Sequence, residues 1–156
     1  MRWEDFDSGT CSVARTVSVL GDRWTILVLR DVFNGVRRFD DLQSHLGIAR
    51  DVLSKRLGAL VAEGVVDRVP YREPGSRTRY EYRLTEAGRD LRPVLLALIE
   101  WGDRYRAEGA GPPLSVIHDE CGAPVRVVLE CDVGHRIRPH TRLRLEPGPG
   151  ARRRGA

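Results

Sequence analysis

Lysine is almost missing from this 156-residue chain: Lys55 is the one lysine among 26 basic residues, the rest being arginine. Such a bias follows genome base composition as readily as selection for phosphate, so the net charge of +4 decides nothing until the arginines are placed. Cysteine is scarce and odd in number, with Cys11, Cys121 and Cys131. That count speaks against a framework of paired disulfides and leaves free thiols or metal ligands. Long apolar runs are also lacking, and none reaches the roughly 20 residues that a membrane-spanning helix needs. The opening residues, Met1 to Ser8, set acids and rings where a secretory signal carries unbroken apolar side chains. We therefore expect a soluble, cytoplasmic chain with no membrane partner. Signatures of catalysis are missing too: there is no G-x-x-x-x-G-K-[ST], no H-E-x-x-H and no G-x-S-x-G. No nucleophile is placed beside His45, His118, His135 or His140, and the expectation is a protein that is not an enzyme.

What is present is a succession of short helical patterns punctuated by glycine. Val13, Val17 and Leu20 recur at helical spacing before Gly21. Asp22 is placed to cap a second helix, Arg23 to Phe33, apolar on most faces and stopped by Asn34-Gly35. Phe39 to Ile48 gives a short third pattern ended by Gly47. From Ala49 to Glu63 a longer helix sets Leu53, Leu57, Leu60 and Val61 on one stripe, with polar residues opposite, and Gly64 closes it. Two helices joined by a tight glycine-containing turn form the helix-turn-helix pattern, whose second helix offers its N-terminal polar face to the major groove.

Two β-type runs, Val65 to Val69 and Arg79 to Leu84, flank the turn signal Glu73-Pro74-Gly75-Ser76. A hairpin directly after a recognition helix is a wing, and Arg72, Arg77 and Arg79 are expected where its tip can reach the DNA backbone or minor groove. Thr85 is then placed to cap one long helix through Arg104, kinked at Pro93. Its apolar coverage exceeds what one small domain buries, which predicts a homodimer. The expected class is α+β, mainly α: a winged helix-turn-helix with a long C-terminal dimerisation helix and a small β-rich appendage. The expected organisation is a DNA-binding and dimerisation domain over residues 1–107, a linker over 108–113, the appendage over 114–146 and a disordered basic tail over 147–156. Strands are expected at Arg126 to Leu129 and Arg142 to Leu145.

The stretch from Cys11 to about Tyr105 resembles the HxlR-type regulators, MarR-like winged-helix proteins. The resemblance rests on Cys11-Ser12, Gly21-Asp22-Arg23-Trp24-Thr25, Gly35-Val36-Arg37-Arg38-Phe39 with Asp41-Leu42, and Leu53-Ser54-Lys55-Arg56-Leu57. It continues through Glu63-Gly64-Val65-Val66-Asp67-Arg68, Tyr82-Arg83-Leu84-Thr85-Glu86-Ala87-Gly88 and Trp101, and the fragments occur in this order. It implies a homodimer clasped by its first and last helices that binds double-stranded operator DNA and controls a nearby promoter. Where family members often cap the recognition helix with Ser or Thr, this chain has Ala49.

On that reading Arg50, Ser54, Lys55 and Arg56 lie in or over the major groove, while Arg38, Arg77 and Arg79 hold phosphates. The competing reading is a winged-helix protein-interaction module without DNA binding, which would survive replacement of these residues. Cys11 is a candidate thiol sensor, since some proteins of the resembled family sense oxidants through an N-terminal cysteine and a helix N-terminus favours thiolate; the alternative is a small side chain at the dimer interface. Finally, His118-x2-Cys121 and Cys131-x3-His135, each beside a glycine, have the donor types of a small zinc ribbon. A structural zinc on these four residues stands beside the plainer reading of a metal-free hairpin with idle thiols.

Overall fold

The structure is a computed structural model that describes residues 2–109 and 111–153. The last three residues of the segment read as a basic tail, and Ala110 of the linker, lie outside the described residues. The chain divides into two compact units, one reaching to Asp90 and rejoined from Leu145 onward, the other Leu91–Arg144.

The first unit holds α1 (Ser12–Leu20), α2 (Arg23–Phe33), α3 (Phe39–Leu46), α4 (Arg50–Ala62), β1 (Val66–Tyr71), β2 (Arg79–Leu84) and a single turn, α5 (Glu86–Arg89). Asp22 caps α2 as expected, its Oδ1 accepting from the amides of Trp24 (2.9 Å) and Thr25 (3.3 Å). The turn between α3 and α4 passes through Gly47 at φ 60, a left-handed conformation that a Cβ disfavours. Leu53, Leu57 and Leu60 of α4 are fully buried, as are Val28 and Leu29 of α2, Leu42 of α3 and Val66 of β1, and α4 packs on α2 and β1. Val61, expected on that stripe, is exposed instead. One residue past Leu60, it is turned about 100° from that buried position.

The wing is an antiparallel pair running from Val66 opposite Leu84 to Tyr71 opposite Arg79. The chain entering α3 adds to it, with Arg38 bridged to Glu81 and the Tyr82 amide donating to the Arg37 carbonyl (2.8 Å). At the other end of the unit, the Asp7 amide donates to the Arg152 carbonyl (2.9 Å) and Phe6 bridges to Arg153. Residues 147–153, read as tail, therefore lie along the N-terminal segment.

The expected long helix from Thr85 to Arg104 is in fact two. Thr85 caps only α5, its Oγ1 accepting from the Gly88 amide (3.0 Å), and a separate α6 (Arg92–Tyr105) follows. Pro93 does not kink a continuous helix; it sits in the first turn of the new one. Its missing N–H costs nothing there, whereas inside a helix its ring would strike the carbonyl four residues back.

In the second unit α6 is followed by two small hairpins. Ile117 bridges Pro124, and β3 (Leu129–Glu130) pairs with β4 (Arg136–Ile137). The strand expected at Arg126 to Leu129 is thus shifted to its C-terminal end, and Arg142 to Leu145 forms none. The turn through Gly134 at φ 84 pairs 129–130 with 136–137, so the β-formers at 142–145 gain no ladder partner. Among the described residues, no helix is long and apolar enough to cross a membrane.

Candidate nucleic-acid interface

Because the leucines of α4 face the core, its other side is left to solvent. Arg50, Ser54 and Lys55 are exposed there, on the first turns of the helix. Ala49 at the cap position makes no side-chain hydrogen bond to the helix, as its methyl dictates.

The wing folds beside this face and, with the starts of α3 and α4, lines an open cavity of about 430 Å³. Arg38, Arg50, Arg77 and Arg79 all line it, so four of the seven residues expected to touch DNA share one concave surface. Two arginines rest on aromatic faces: Arg38 lies over Tyr71 (4.6 Å to the ring centre) and Arg50 over Phe39 (4.8 Å). Such stacking holds a guanidinium in place while leaving its N–H groups free for an anion. Arg38 also pairs with Glu73 at the wing tip (3.0 Å). Asp40 stands opposite two cavity arginines, 3.7 Å from Arg50 Nη1 and 4.0 Å from Arg79 Nη1.

Arg56 is placed elsewhere. It is half-buried, its Nη2 is 2.9 Å from Asp22 Oδ2, and its Nε is buried without a hydrogen-bond partner. It joins α4 to the start of α2 and does not line the cavity.

Sequence reasoning did not single out Arg68, which lies over Tyr80 (3.6 Å) and lines the same cavity. The hairpin register sets Arg68 opposite Tyr82, another residue of the cavity, and that pairing is not written in the local sequence. Asp31 was also missed. It is almost wholly buried in α2 and binds Arg30 (2.7 Å) and His45 Nδ1 (2.6 Å), tying α3 to α2. An acid inside so apolar a helix was the clue.

Cys11 occupies the N-cap position of α1, half-buried, and caps no amide with its side chain. In the second unit, His118 Nδ1 is 3.1 Å from Cys121 Sγ. Cys131 shares a turn with His135, and the backbone N–H groups of Val133 and His135 point at its sulfur and hold the thiol below the usual range. His118 and Cys121 thus meet through their side chains, whereas Cys131 and His135 are joined through the backbone, the Cys131 amide donating to the His135 carbonyl (3.1 Å). Among the described residues no three His, Cys, Asp or Glu side chains are grouped where they could hold a metal ion.

Comparison with known proteins agrees with this geometry. An uncharacterized HTH-type transcriptional regulator of Mycobacterium tuberculosis (strain H37Rv) is 46% identical over 140 residues, covering 89% of this chain and 87% of its own. The crystal structure of PA1607, provisionally described as a transcription factor, matches with a TM-score of 0.76 at 36% identity, over 87% of this chain and 95% of that one. The redox regulator HypR in its reduced form matches with a TM-score of 0.55 at 33% identity, over 60% of this chain and 92% of its own. The family model of the HxlR-like helix-turn-helix matches residues 19–110. With the winged helix, its turn and its exposed α4 face in place, the chain belongs to the HxlR-like helix-turn-helix family and is a transcriptional regulator.

Proposed function

We propose that this regulator binds operator DNA in the cytoplasm as a homodimer, each subunit laying α4 in a major groove and its wing along the adjacent backbone. The observation that carries the reading is the shared cavity of Arg38, Arg50, Arg77 and Arg79 beside the exposed start of α4. Arg50, Ser54 and Lys55 are the base-facing candidates; Arg38, Arg77 and Arg79 are the phosphate ligands, with Arg68 added to them. Arg56 is assigned to the scaffold. In support of the dimer, α1 exposes Val13 and Val17, and α6 exposes Val94, Leu98, Trp101 and Tyr105 at i, i+4, i+7 and i+11. In solution such stripes are buried against a second subunit. The likeness to HypR, together with Cys11 at a helix N-terminus, supports a thiol response through that residue. No step is assigned to a metal.

The test is a titration of the reduced protein against DNA from upstream of its own gene and a scrambled duplex, at two salt concentrations. We expect tight, salt-sensitive binding to sites selected from such DNA, lost in the Arg50→Ala/Lys55→Ala double variant. If no duplex binds at low salt, and the double variant behaves as the parent in every partner assay, the protein-interaction reading replaces this one.

A further inference from the structure

Asp40 is an odd residue to find in a cavity built to receive phosphate. It lies in the first turn of α3, where an acid favours the helix dipole, but Asp41 beside it serves that purpose equally. What distinguishes Asp40 is its position between arginines of two different elements. One carboxylate oxygen faces Arg50 of the recognition helix at 3.7 Å and the other faces Arg79 of the wing at 4.0 Å. All three groups are largely exposed. At these separations neither contact is a hydrogen bond, so the guanidinium N–H groups stay available to another acceptor. Arg50 is meanwhile supported from below by Phe39. The result is a two-oxygen anion held between two arginines in an open cavity of about 430 Å³, the arrangement a bridging phosphate would take.

We propose that Asp40 is an internal stand-in for DNA phosphate: in the free regulator it orients Arg50 and Arg79 toward one point, and DNA binds there by exchanging a backbone phosphate for the carboxylate. The inference rests on the DNA-binding reading above and assigns one phosphate seat within it. The exchange has a consequence for selectivity. Binding to arbitrary DNA is carried almost wholly by charge, so a carboxylate left beside the incoming phosphate weakens it directly. Binding to the operator draws in addition on base contacts from α4, so the same handicap is a smaller share of the total. Asp40 thereby holds down sequence-independent binding and raises the ratio of specific to non-specific affinity.

The experiment compares the full-length parent, Asp40→Asn, Asp41→Asn and Asp40→Asn in an Arg50→Ala/Arg79→Ala background, each titrated with a scrambled duplex and a selected operator across a salt series. Asp41→Asn removes the same charge one residue along, so it separates pairing from net charge. For Asp40→Asn we expect scrambled DNA to bind about threefold to tenfold more tightly, with a salt slope steeper by roughly one. The operator should gain less, and Asp41→Asn should gain less on both. In the double-alanine background the Asp40→Asn gain should vanish. Circular dichroism of each variant confirms that α3 is retained. Equal gains for Asp40→Asn and Asp41→Asn, or no gain for Asp40→Asn while the parent binds, would overturn the inference and leave the DNA-binding reading standing. A parent that binds no duplex removes both.

Discussion

At the scale of single residues, close backbone approaches and buried charges set the tolerances. Gly88 lies so close to the residue before β1 that a Cβ there would sit 2.1 Å from the Val65 carbonyl oxygen. Gly88→Ala should therefore displace α5 from the hairpin and lower stability by about 1–3 kcal/mol, as overpacking does, which urea unfolding of the purified protein will read. Cys131 carries a second prediction. Backbone N–H groups favour its thiolate, so its alkylation by iodoacetamide should rise at lower pH than that of a free cysteine peptide. The folded turn correspondingly gains from the thiolate above the unfolded thiol's pKa and loses that gain as pH falls through the folded value. Mass spectrometry of the alkylated peptides across pH checks it; coincident profiles would mean that those N–H groups do not reach the sulfur in solution. Residues of this kind were only partly legible. Asp22 as a cap follows from the residue type before an apolar run, whereas its second oxygen's bond to Arg56, contributed by another helix, does not.

Helices and strands are the scale at which the sequence spoke most clearly. The start and end of α2 were legible because Asp22 supplies a side-chain acceptor and Asn34-Gly35 ends the helical periodicity. The stripe of α4 was legible in Leu53, Leu57 and Leu60 for the same reason of spacing. Where the reading went astray, at Pro93 and at residues 142–145, local propensity was correct but its consequence depended on neighbours: a proline can begin a helix as well as bend one, and a β-former needs a partner strand. Asp22 gives the prediction at this scale. It satisfies two amides of α2 and also neutralises Arg56 of α4. Asp22→Ala should cost about 2 kcal/mol, the upper end for a lost cap, and should lower DNA affinity by loosening α4. Asp22→Asn, which keeps a cap acceptor but not the charge, should fall between the two in thermal unfolding.

For the molecule as a whole, the proposed function depends on a second copy. Leu98 lies within the exposed apolar row of α6, and an aspartate there would place a charge in the proposed interface. Leu98→Asp should sediment as a monomer at concentrations where the parent is a dimer, keep its circular dichroism spectrum, and lose most operator affinity because two half-sites are no longer read together. A parent that sediments as a monomer, bound to DNA or free, would refute the homodimer.

Local order along the chain was enough to determine the bounds of α2, the glycine turns, the buried leucines of α4 and the family, because spacing and capping act over a few residues and are written contiguously. The fate of the charges was decided only in three dimensions. Periodicity assigns Arg50 and Arg56 to faces of one helix, but it does not say that Arg56 meets Asp22 while Arg50 opens onto a cavity opposite Asp40. Nor does it say that, of the four donors His118, Cys121, Cys131 and His135, the first two meet through their side chains while the last two are joined through the backbone. Whether an arginine is tied into the scaffold or left facing the cavity depends on which groups lie within reach, and those distances are set by how separate elements pack.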